Sequence, residues 1–447
     1  MTELSPPKSV DPLTVLPREL AEQILTYLNF KQLMNTCLVS KEWAQFIRRT
    51  PNLWRHLDLT LAKRKVKNAF VSRAINVGRS KLKVVTLRNL FDFDKAFASL
   101  TKVCPLEEIN LRDTGVHTDN IVDLLKQLKN LRSLRIGNGT KLSCKGISAI
   151  LRDAAATLET LYIEDLAAQA GFYGSPFPDV AFSNMQELDL AWSVQWPSPG
   201  SGLQATMENM PNLRSLKLHH LHAQLPSLTF QRKLDLSQHK HLSRLDLVWH
   251  LQKANEVALP SSLTHFALGT WRPKHAMFFD NLDPQEPLQW SLPHLEELRI
   301  CVQEIKLHSV EHALRPPIIT SDGTTPSLLH TVSITSGDLQ GVPVKDFLSH
   351  PRLKEVKHLT LKSCHGLDDG HMSSVAICLP LLQSLDVSGT DVTGAGIKDV
   401  IKNGLKKLVV NDCRYLGLDA VHWARSQGVK VEYRSTDTMT GGKKLRF

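Results

Sequence analysis

Apolar residues follow one repeated spacing over most of the chain. The pattern L-x-x-L-x-L, with other apolar residues allowed, recurs thirteen times at intervals of 21 to 34 residues. Alternation with a period of two predicts a short strand, and the residues between patterns must return along the other side of the sheet, usually as a helix. The predicted strand segments start at Leu82, Leu106, Leu131, Leu158, Met185, Leu213, Leu242, Leu263, Leu295, Leu329, Val356, Leu382 and Leu405.

Some of the returning segments carry the start signal of a helix. A small polar residue precedes an apolar residue by four positions, as expected of an N-cap, at Thr118, Ser143, Asp368 and Thr393. The centre of the array is less regular and contains insertions rich in Pro, Gly and aromatic residues. These insertions are Ala167–Ser183, Gln195–Gln204, Trp271–Pro293 and Ile305–Ser327. Alternating strands and helices predict an α/β fold.

Residues 13–59 follow a different, helical period. Leu20, Ile24 and Leu28 recur every four residues after Pro17, which suits the first turn of a helix. A short second helix is predicted to carry Leu33, Met34 and Cys37, and a third to begin after Ser40. A segment this short cannot bury all of its Leu, Ile and Trp internally, so its excess apolar surface should contact a partner or the next domain. The alternative interpretation is a helical cap on the repeats.

This segment, LTVLPRELAEQILTYLNFKQLMNTCLVSKEWAQFIRRTPNLWRHLDL, resembles the F-box. The resemblance is carried by Leu16-Pro17, Glu19-Leu20, Ile24-Leu25, Val39-Ser40-Lys41 and Leu53-Trp54. It implies docking to the Skp-family linker of a cullin ubiquitin ligase and, through that linker, to cullin and RING subunits. The residues implied to contribute to or shape the linker-binding surface are Leu16, Pro17, Leu20, Ile24, Leu25, Leu28, Leu33, Val39 and Trp43.

The repeats are similar to a leucine-rich-repeat array of about thirteen units. Cys364 and Cys413 share one repeat position, as in the cysteine-containing repeat subtype, and are interpreted as small half-buried residues that satisfy loop backbone. The predicted architecture is therefore a three-helix F-box fused to a leucine-rich-repeat solenoid. The expected divisions are a disordered terminus at 1–12, the F-box at 13–60, a basic connection at 61–81, the repeats at 82–434 and a basic tail at 435–447.

Two features of the composition add to the predicted architecture: the net charge and the distribution of cysteines. The chain has 447 residues, is 42% hydrophobic and carries a net charge of +10, with a run of nine basic and no acidic residues from Lys63 to Arg88. Its seven cysteines are scattered and lack C-x-x-C spacing, which indicates reduced thiols rather than a disulfide or zinc framework. The sequence shows neither a signal peptide nor an apolar run long enough to span a membrane.

The substrate surface is predicted on the concave face of the repeats, where strand residues between the buried leucines point outward. Such a mixture of Arg, Tyr, Trp and charged residues is typical of an interface. An alternative for the two tryptophans is that they cover the ends of the core. The predicted substrate-binding residues are Arg135, Tyr162, Asp189, Trp192, Lys217, Asp246, Trp249 and Arg299.

No cofactor, metal or catalytic residue is predicted. The histidines at 219, 220, 222, 239, 241 and 250 do not have the spacing of a structural zinc site and are interpreted as a solvated face. The chain also lacks a phosphate loop, G-x-S-x-G and H-E-x-x-H. We therefore expect a protein without catalytic activity of its own, and no membrane as partner.

The expected function is substrate recognition in an SCF-type ubiquitin ligase, with one or more protein substrates. The segments DPLTVLPRELAEQIL, LWRHLDL and GGKKLRF are similar to fungal F-box/leucine-rich-repeat receptors, one branch of which recognises the replicative helicase in the nucleus. That branch carries tetratricopeptide repeats before the F-box, which are not expected in the dozen residues here. A nuclear replication or chromatin target is expected, and a location in the nucleus, the cytoplasm or both, with the nucleus favoured. The alternative is a basic nucleic-acid- or chromatin-binding scaffold outside a ligase, which would show a steep salt dependence but lacks interleaved aromatics.

Overall fold

The computed structural model describes most, but not all, of the chain. The described residues are 11–60, 75–76, 78, 81–87, 104–111, 125, 128–137, 144–164, 177–192, 201–220, 234–248, 257–269, 292–301, 327–335 and 344–434. They belong to two compact units, Met1–Pro197 and Ser198–Phe447.

The first unit begins with four helices. These are α1 (Pro12–Val15), α2 (Arg18–Thr26), α3 (Phe30–Thr36) and α4 (Lys41–Arg49), followed by a 3₁₀ turn at Pro51–Trp54. Three of the helices begin at side-chain caps, because Asp11 accepts a hydrogen bond from the Leu13 amide, Asn29 from that of Gln32 and Ser40 from that of Trp43.

The sequence predicted three helices for this segment, and the structure adds α1. Asp11 and Pro12, which the sequence assigns to the polar terminus, are the N-cap and the first residue of this added helix. Proline at the first helical position has no amide to leave unsatisfied, so the short turn forms at little cost.

Six parallel strands complete the first unit. They are β1 (His56–Asp58), β2 (Val84–Thr86), β3 (Glu108–Leu111), β4 (Ser133–Ile136), β5 (Thr160–Glu164) and β6 (Glu187–Trp192). Each strand pairs with the next in chain order without an offset, and Leu57, Val85, Ile109, Leu134, Leu161 and Leu188 align in one buried row. One helix, α5 (Cys144–Ala154), returns the chain between β4 and β5.

The second unit contains the remaining strands. Its main sheet has the order β7 (Ser215–His220), β9 (Arg244–Val248), β11 (His265–Gly269), β12 (Glu297–Cys301), β13 (Thr331–Thr335), β14 (His358–Lys362), β15 (Ser384–Asp386), β16 (Lys407–Val409), β17 (Lys430–Glu432). All described neighbours are parallel and in register. The two-residue strands β8 (Leu234–Asp235) and β10 (Val257–Ala258) pair separately with each other.

The returning segments of the second unit are mostly helical. They include α6 (Ser201–Glu208), α7 (Val344–Leu348), α8 (Asp369–Cys378), α9 (Gly394–Ile401) and α10 (Leu418–Ser426). The predicted N-caps Asp368 and Thr393 are confirmed, because their side chains accept from the amides of His371 and Ala395. Thr118 and Ser143 lie outside the described residues.

Each of the thirteen predicted strand segments contains a strand, which confirms the α/β repeat fold. The alternating apolar residues of the pattern are buried in the structure. In β13 and β14, for example, buried apolar residues alternate with partly or fully exposed polar ones. The core is therefore a stack of aliphatic rows behind the sheet, and the opposite side of the sheet carries the polar side chains. We call this polar side the strand face.

Candidate functional site

Among the residues that the structure describes, exposed large apolar side chains are concentrated near the amino-terminal end. Leu20, Ile24 and Tyr27 are 48%, 53% and 82% exposed. They are spaced i, i+4 and i+7, so they share one side of α2, whereas Ala21 and Leu25 are buried on its other side. One face of this helix therefore belongs to the core, and a second apolar face is left in water.

The adjoining helices extend this apolar exposure. Val15 in α1 is 64% exposed, and Leu38 and Val39, between α3 and α4, are 82% and 67% exposed. Among the described residues, six of the eleven exposed large apolar side chains lie between positions 15 and 39. Such a concentration indicates a surface that is covered by a partner. We call these six residues, Val15, Leu20, Ile24, Tyr27, Leu38 and Val39, the apolar face.

Trp43 positions the elements that carry the apolar face. Its indole Nε1 donates a hydrogen bond to Asp11 Oδ1 at 3.1 Å, and the same carboxylate oxygen caps α1 through the Leu13 amide at 2.9 Å. The Trp43 amide in turn donates to Ser40 Oγ at the start of α4. One side chain therefore joins α1 to α4, and Val15 is placed by that link.

Four of the predicted substrate residues lie in the first unit. On the strand face, β3 to β6 align Asn110, Arg135, Tyr162 and Asp189 in one row. Arg135 is exposed, and the other three are partly exposed. Neighbouring strands are about 4.8 Å apart, so the structure brings Arg135, Tyr162 and Asp189 together as direct neighbours. Trp192 is the last residue of β6, and its side chain lies outside the described part of the structure.

The other four predicted substrate residues lie in the second unit. Lys217 is aligned with Asp246, which is aligned with Ala267, and Ala267 is aligned with Arg299. Ala267 therefore separates Asp246 from Arg299 by one small side chain. Trp249 lies outside the described residues. The structure thus places Lys217, Asp246 and Arg299 on one strand face, and it does not describe how that face lies relative to the first unit.

Acidic side chains of the strand face lie close to histidine rings on neighbouring strands. His219 Nε2 lies 3.3 Å from Asp246 Oδ1, and His265 Nε2 lies 3.6 Å from Glu297 Oε2. Glu297 also contacts the guanidinium of Arg299 on its own strand. Sequence reasoning missed Glu297 and His219, although both occupy outward positions of the alternation that identified their neighbours.

The thiols of Cys364 and Cys413 are buried and lie close to backbone carbonyl oxygens. Cys413 Sγ lies 3.2 Å from the carbonyl oxygen of Val387, which directly follows β15, and Cys364 Sγ lies 3.7 Å from that of Ile334 in β13. Burial raises the pKa of the Cys413 thiol above its ordinary value, although hydrogen bonds at Thr390 oppose this effect. Both thiols are buried and bonded to backbone, which supports their interpretation as loop-satisfying residues.

Part of the predicted chemistry falls outside the described residues. His222, His250, seven of the nine basic residues between Lys63 and Arg88, and the tail at 435–447 are not described. Within the described part, no group of three or more His, Cys, Asp or Glu residues is arranged to hold a metal ion. The described helices include none that is long and apolar enough to cross a membrane.

Comparison with known protein families identifies the amino-terminal segment. Residues 13–60 match the model of the family described as F-box-like. These residues form an F-box-like domain. The match begins within α1 and includes the other three helices and all six residues of the apolar face. An F-box domain implies binding to a Skp-family linker.

A curated relative is similar to nearly the whole chain. The F-box/TPR repeat protein pof3 of Schizosaccharomyces pombe is 22% identical over 484 residues, covering 98% of this chain and 77% of that protein. Two solved structures are also similar. The yeast Rad7 and Elc1 complex matches with 13% identity, 96% coverage of this chain, 100% of that chain and a TM-score of 0.44. A TLR13–ssRNA13 complex matches with 13% identity, 80% coverage of this chain, 56% of that chain and a TM-score of 0.41.

The predicted linker-binding residues of the F-box fall into three groups in the structure. Leu20, Ile24, Val39 and Pro17 are exposed, and Leu16, Leu28 and Trp43 are partly exposed. Leu25 and Leu33 are 4% and 3% exposed, so they can shape the F-box only from inside. The sequence prediction missed Val15, Tyr27 and Leu38. Tyr27 could have been found, because it lies seven residues after Leu20 on the same helical face.

Proposed function

We propose that the chain is the substrate-recognition subunit of an SCF-type cullin ubiquitin ligase. In this proposal the F-box binds a Skp-family linker, and the linker brings the cullin and RING subunits. The strand face of the repeats binds the protein that is to be modified. The observation that carries the proposal is the apolar face. It lies within a domain of F-box type and supplies six of the eleven exposed large apolar side chains among the described residues.

The proposed role is positioning rather than bond chemistry. The F-box continues directly into the sheet, because β1 begins two residues after Trp54 and pairs with β2 at His56–Val84, Leu57–Val85 and Asp58–Thr86. A protein held on the strand face of the first unit would therefore keep a fixed distance from the linker. Fixed orientation raises the rate of a reaction between two bound partners. In this proposal the transfer chemistry belongs to the partner subunits.

The strand face is the proposed substrate surface because it extends over several strands and carries side chains of different chemical types. In the first unit, Arg135, Tyr162 and Asp189 present a cation, an aromatic ring and a carboxylate on three consecutive strands. Aromatic and arginine side chains carry much of the free energy of protein–protein interfaces. The target itself, a nuclear replication or chromatin protein, and the nuclear location remain proposals that a substrate-trapping experiment would test.

Exposed apolar residues elsewhere on the chain provide a matched test of linker binding. Replacing Leu20 and Ile24 by Ser removes apolar side chains from the apolar face, and we expect co-purification of the linker to fall at least tenfold. Replacing Ile377 and Leu381 by Ser removes side chains of 74% and 45% exposure from the second unit and should leave linker binding unchanged. Equal co-purification by both variants would contradict the docking role of the apolar face.

The same variant can trap the target. A chain that cannot bind the linker should retain its substrates instead of passing them on for modification. Affinity purification of the Leu20→Ser, Ile24→Ser chain, with and without Tyr162→Ala and Asp189→Ala, should show which proteins depend on the strand face. If no chromatin or replication protein is recovered, the nuclear target is excluded while the ligase role stands. If the strand-face substitutions recover the same proteins, the proposed substrate surface is wrong.

The alternative of a nucleic-acid-binding scaffold depends on the basic run from Lys63 to Arg88. Only Lys81 and Lys83 of that run are described, and the Lys83 ammonium is already paired with Glu107. Hydrogen bonding from Lys83 lowers the pKa of the Glu107 carboxyl, which keeps that partner ionised. The scaffold role therefore stays a prediction from sequence.

A further inference from the structure

Charge is distributed unevenly among the strands of the two units. The segments that contain β3 to β6, at 107–111, 132–136, 159–164 and 186–192, hold six carboxylates and two arginines. The segments that contain β14 to β17, at 357–362, 383–388, 406–411 and 429–434, hold six Lys or Arg residues and two carboxylates. The last four strands are therefore a basic surface within an otherwise mixed array.

Both carboxylates of this basic surface are already engaged. Asp386 Oδ1 accepts hydrogen bonds from the Ser388 amide at 2.9 Å and from the Ser388 hydroxyl at 2.6 Å. Glu432 Oε1 lies 3.0 Å from Lys407 Nζ. The hydrogen bond from Lys407 lowers the pKa of the Glu432 carboxyl, and the charges of Lys430 and Arg434 act in the same direction. Glu432 is therefore paired with Lys407, and the charges of Lys430 and Arg434 lie nearby.

Three lysines of this surface are left without an acidic partner. Lys357 and Lys406 immediately precede β14 and β16, and Lys430 begins β17. All three are exposed, and none forms a salt bridge with another described residue. Gln383 occupies the position between Lys357 and Lys406, just before β15, and the aligned outward residues Thr360, Asp386 and Val409 lie further along the strands. The three exposed ammonium groups therefore follow the amino-terminal ends of β14, β16 and β17.

We propose that this basic surface, with Lys357, Lys406 and Lys430 at the amino-terminal ends of its strands, binds an acidic extended segment of a protein. The proposal rests on the proposed function, since it names the chemical class of the recruited substrate. Lys357 and Lys406 precede strands that are two positions apart, so they are separated by roughly 10 Å at the usual strand spacing. A peptide in the extended polyproline II conformation rises about 3.1 Å per residue with three residues per turn, so acidic side chains three residues apart lie on one side and match that separation.

A peptide fits this surface better than a nucleic acid does. Non-specific binding of single strands uses several aromatic side chains on which successive bases stack, and the segments that contain β14 to β17 hold one aromatic residue of this kind, Tyr433. Asp386 and Glu432 lie within the surface and would repel a continuous phosphate backbone. An acidic peptide can place neutral residues over these two carboxylates. Carboxylates and phosphoryl groups of a peptide share the required chemistry, so both are included in the test.

The test uses charge reversal in the full chain bound to its linker. The test variant carries Lys357→Glu, Lys406→Glu and Lys430→Glu. The matched control carries Lys345→Glu, Lys398→Glu and Lys402→Glu, which reverse exposed lysines on α7 and just within or after α9 and change the net charge equally. The probes are a fluorescent ten-residue glutamate peptide, a peptide with two phosphoserines three residues apart, and single-stranded DNA of similar charge.

We expect the intact chain to bind both peptides and the test variant to bind them about tenfold more weakly, as three exposed ion pairs allow. The control should stay within about twofold, and binding should weaken as salt increases. Tighter binding of the phosphorylated peptide would assign the anionic group to phosphate, and equal binding would assign it to carboxylate. Thermal unfolding of the two variants establishes that both are folded.

Three outcomes would overturn the proposal. These are no binding of either peptide by the intact chain, equal weakening by test and control variants, or tighter binding of DNA than of peptide with loss on the same reversal. The result is separable from the proposed function. The lysine variants should keep the linker, and the Leu20→Ser, Ile24→Ser chain should keep peptide binding. Loss of linker binding by that serine variant alone would leave the proposed ligase role in place even if the peptides fail to bind.

Discussion

The indole Nε1 of Trp54 donates a hydrogen bond to the carbonyl oxygen of Ile47 at 2.8 Å, and both residues are buried. The Trp54 ring also meets the ring of Phe30 edge-to-face, with centroids 6.0 Å apart. Because Trp54 lies two residues before β1, this contact joins the last F-box helix to the start of the sheet. The F-box and the first repeats of this unit therefore share one core.

Substituting Trp54 separates packing from hydrogen bonding. Trp54→Ala should destabilise the F-box and β1 by about 3–5 kcal/mol, as expected for a buried aromatic residue. Trp54→Phe keeps a ring against Phe30 but removes the indole donor, and should cost about 1 kcal/mol, because the Ile47 carbonyl still accepts a hydrogen bond from the Thr50 amide. Hydrogen exchange of residues 41–59 measures both effects locally. A smaller loss for Ala than for Phe would show that the shared core has been misassigned.

Limited proteolysis tests whether the junction is rigid. Trypsin can cleave after Arg48, Arg49 and Arg55, which are exposed. Cleavage requires the local backbone to unfold, and the Arg55 carbonyl oxygen accepts hydrogen bonds from the amides of Lys83 and Val84. We expect no early cut between residues 49 and 60 in the intact chain and a readily detected cut in Trp54→Ala. Rapid cleavage of the intact chain in this interval would show a flexible connection.

Gly269 is required by a close approach between two strands of the second unit. A Cβ atom at this position would lie 2.2 Å from the Cys301 carbonyl oxygen. Gly269→Ala should therefore destabilise the second unit by several kcal/mol, since backbone must move. Gly404 is the control: its φ is +87° and a Cβ atom added there would have no neighbour within 4 Å, so Gly404→Ala should cost only about 1 kcal/mol. Denaturant unfolding followed by fluorescence compares them, and equal losses would contradict the contact.

Cys104 should resist alkylation. Burial raises the pKa of its thiol to about 11, so about one thiol in a thousand is ionised at pH 8. The thiolate is the reactive form, and the rate should therefore rise about tenfold for each pH unit up to that value. Cys37 is only partly buried and should react first, although burial raises its pKa as well, against the charge of Arg48. Faster labelling of Cys104 than Cys37, measured by mass spectrometry, would argue against this environment.

The strand positions could be predicted because a period of two is a strong signal when it recurs. The leucines at 134, 161 and 188 are buried at the same point of successive strands, as the repeated pattern required. The strands β8 and β10 were missed, since two residues are too short to show alternation. The helix α1 was missed as well, although its Asp11-Pro12 start is a recognisable cap signal.

The site could be predicted only in part. Outward positions follow from alternation, so Arg135, Tyr162 and Asp189 were found without coordinates. The exposure of Leu38, between α3 and α4, depends on how the four helices pack, which local sequence does not determine. Likewise, the pairing of His219 with Asp246 joins residues 27 positions apart and needs the register of β7 and β9. Long-range alignment, rather than residue type, is the information that sequence reasoning lacked.

Described neighbouring strands pair at equivalent positions of their repeats, without a shift in register. This alignment limits how the length of such a chain can change. Gain or loss of one complete repeat leaves Tyr162 and Asp189 in the same row and changes the reach from the F-box by one strand spacing, about 4.8 Å. Gain or loss of a single residue inside a strand instead exchanges its buried and outward side chains. Whole repeats are thus the unit in which this chain can gain or lose length without disturbing its buried rows.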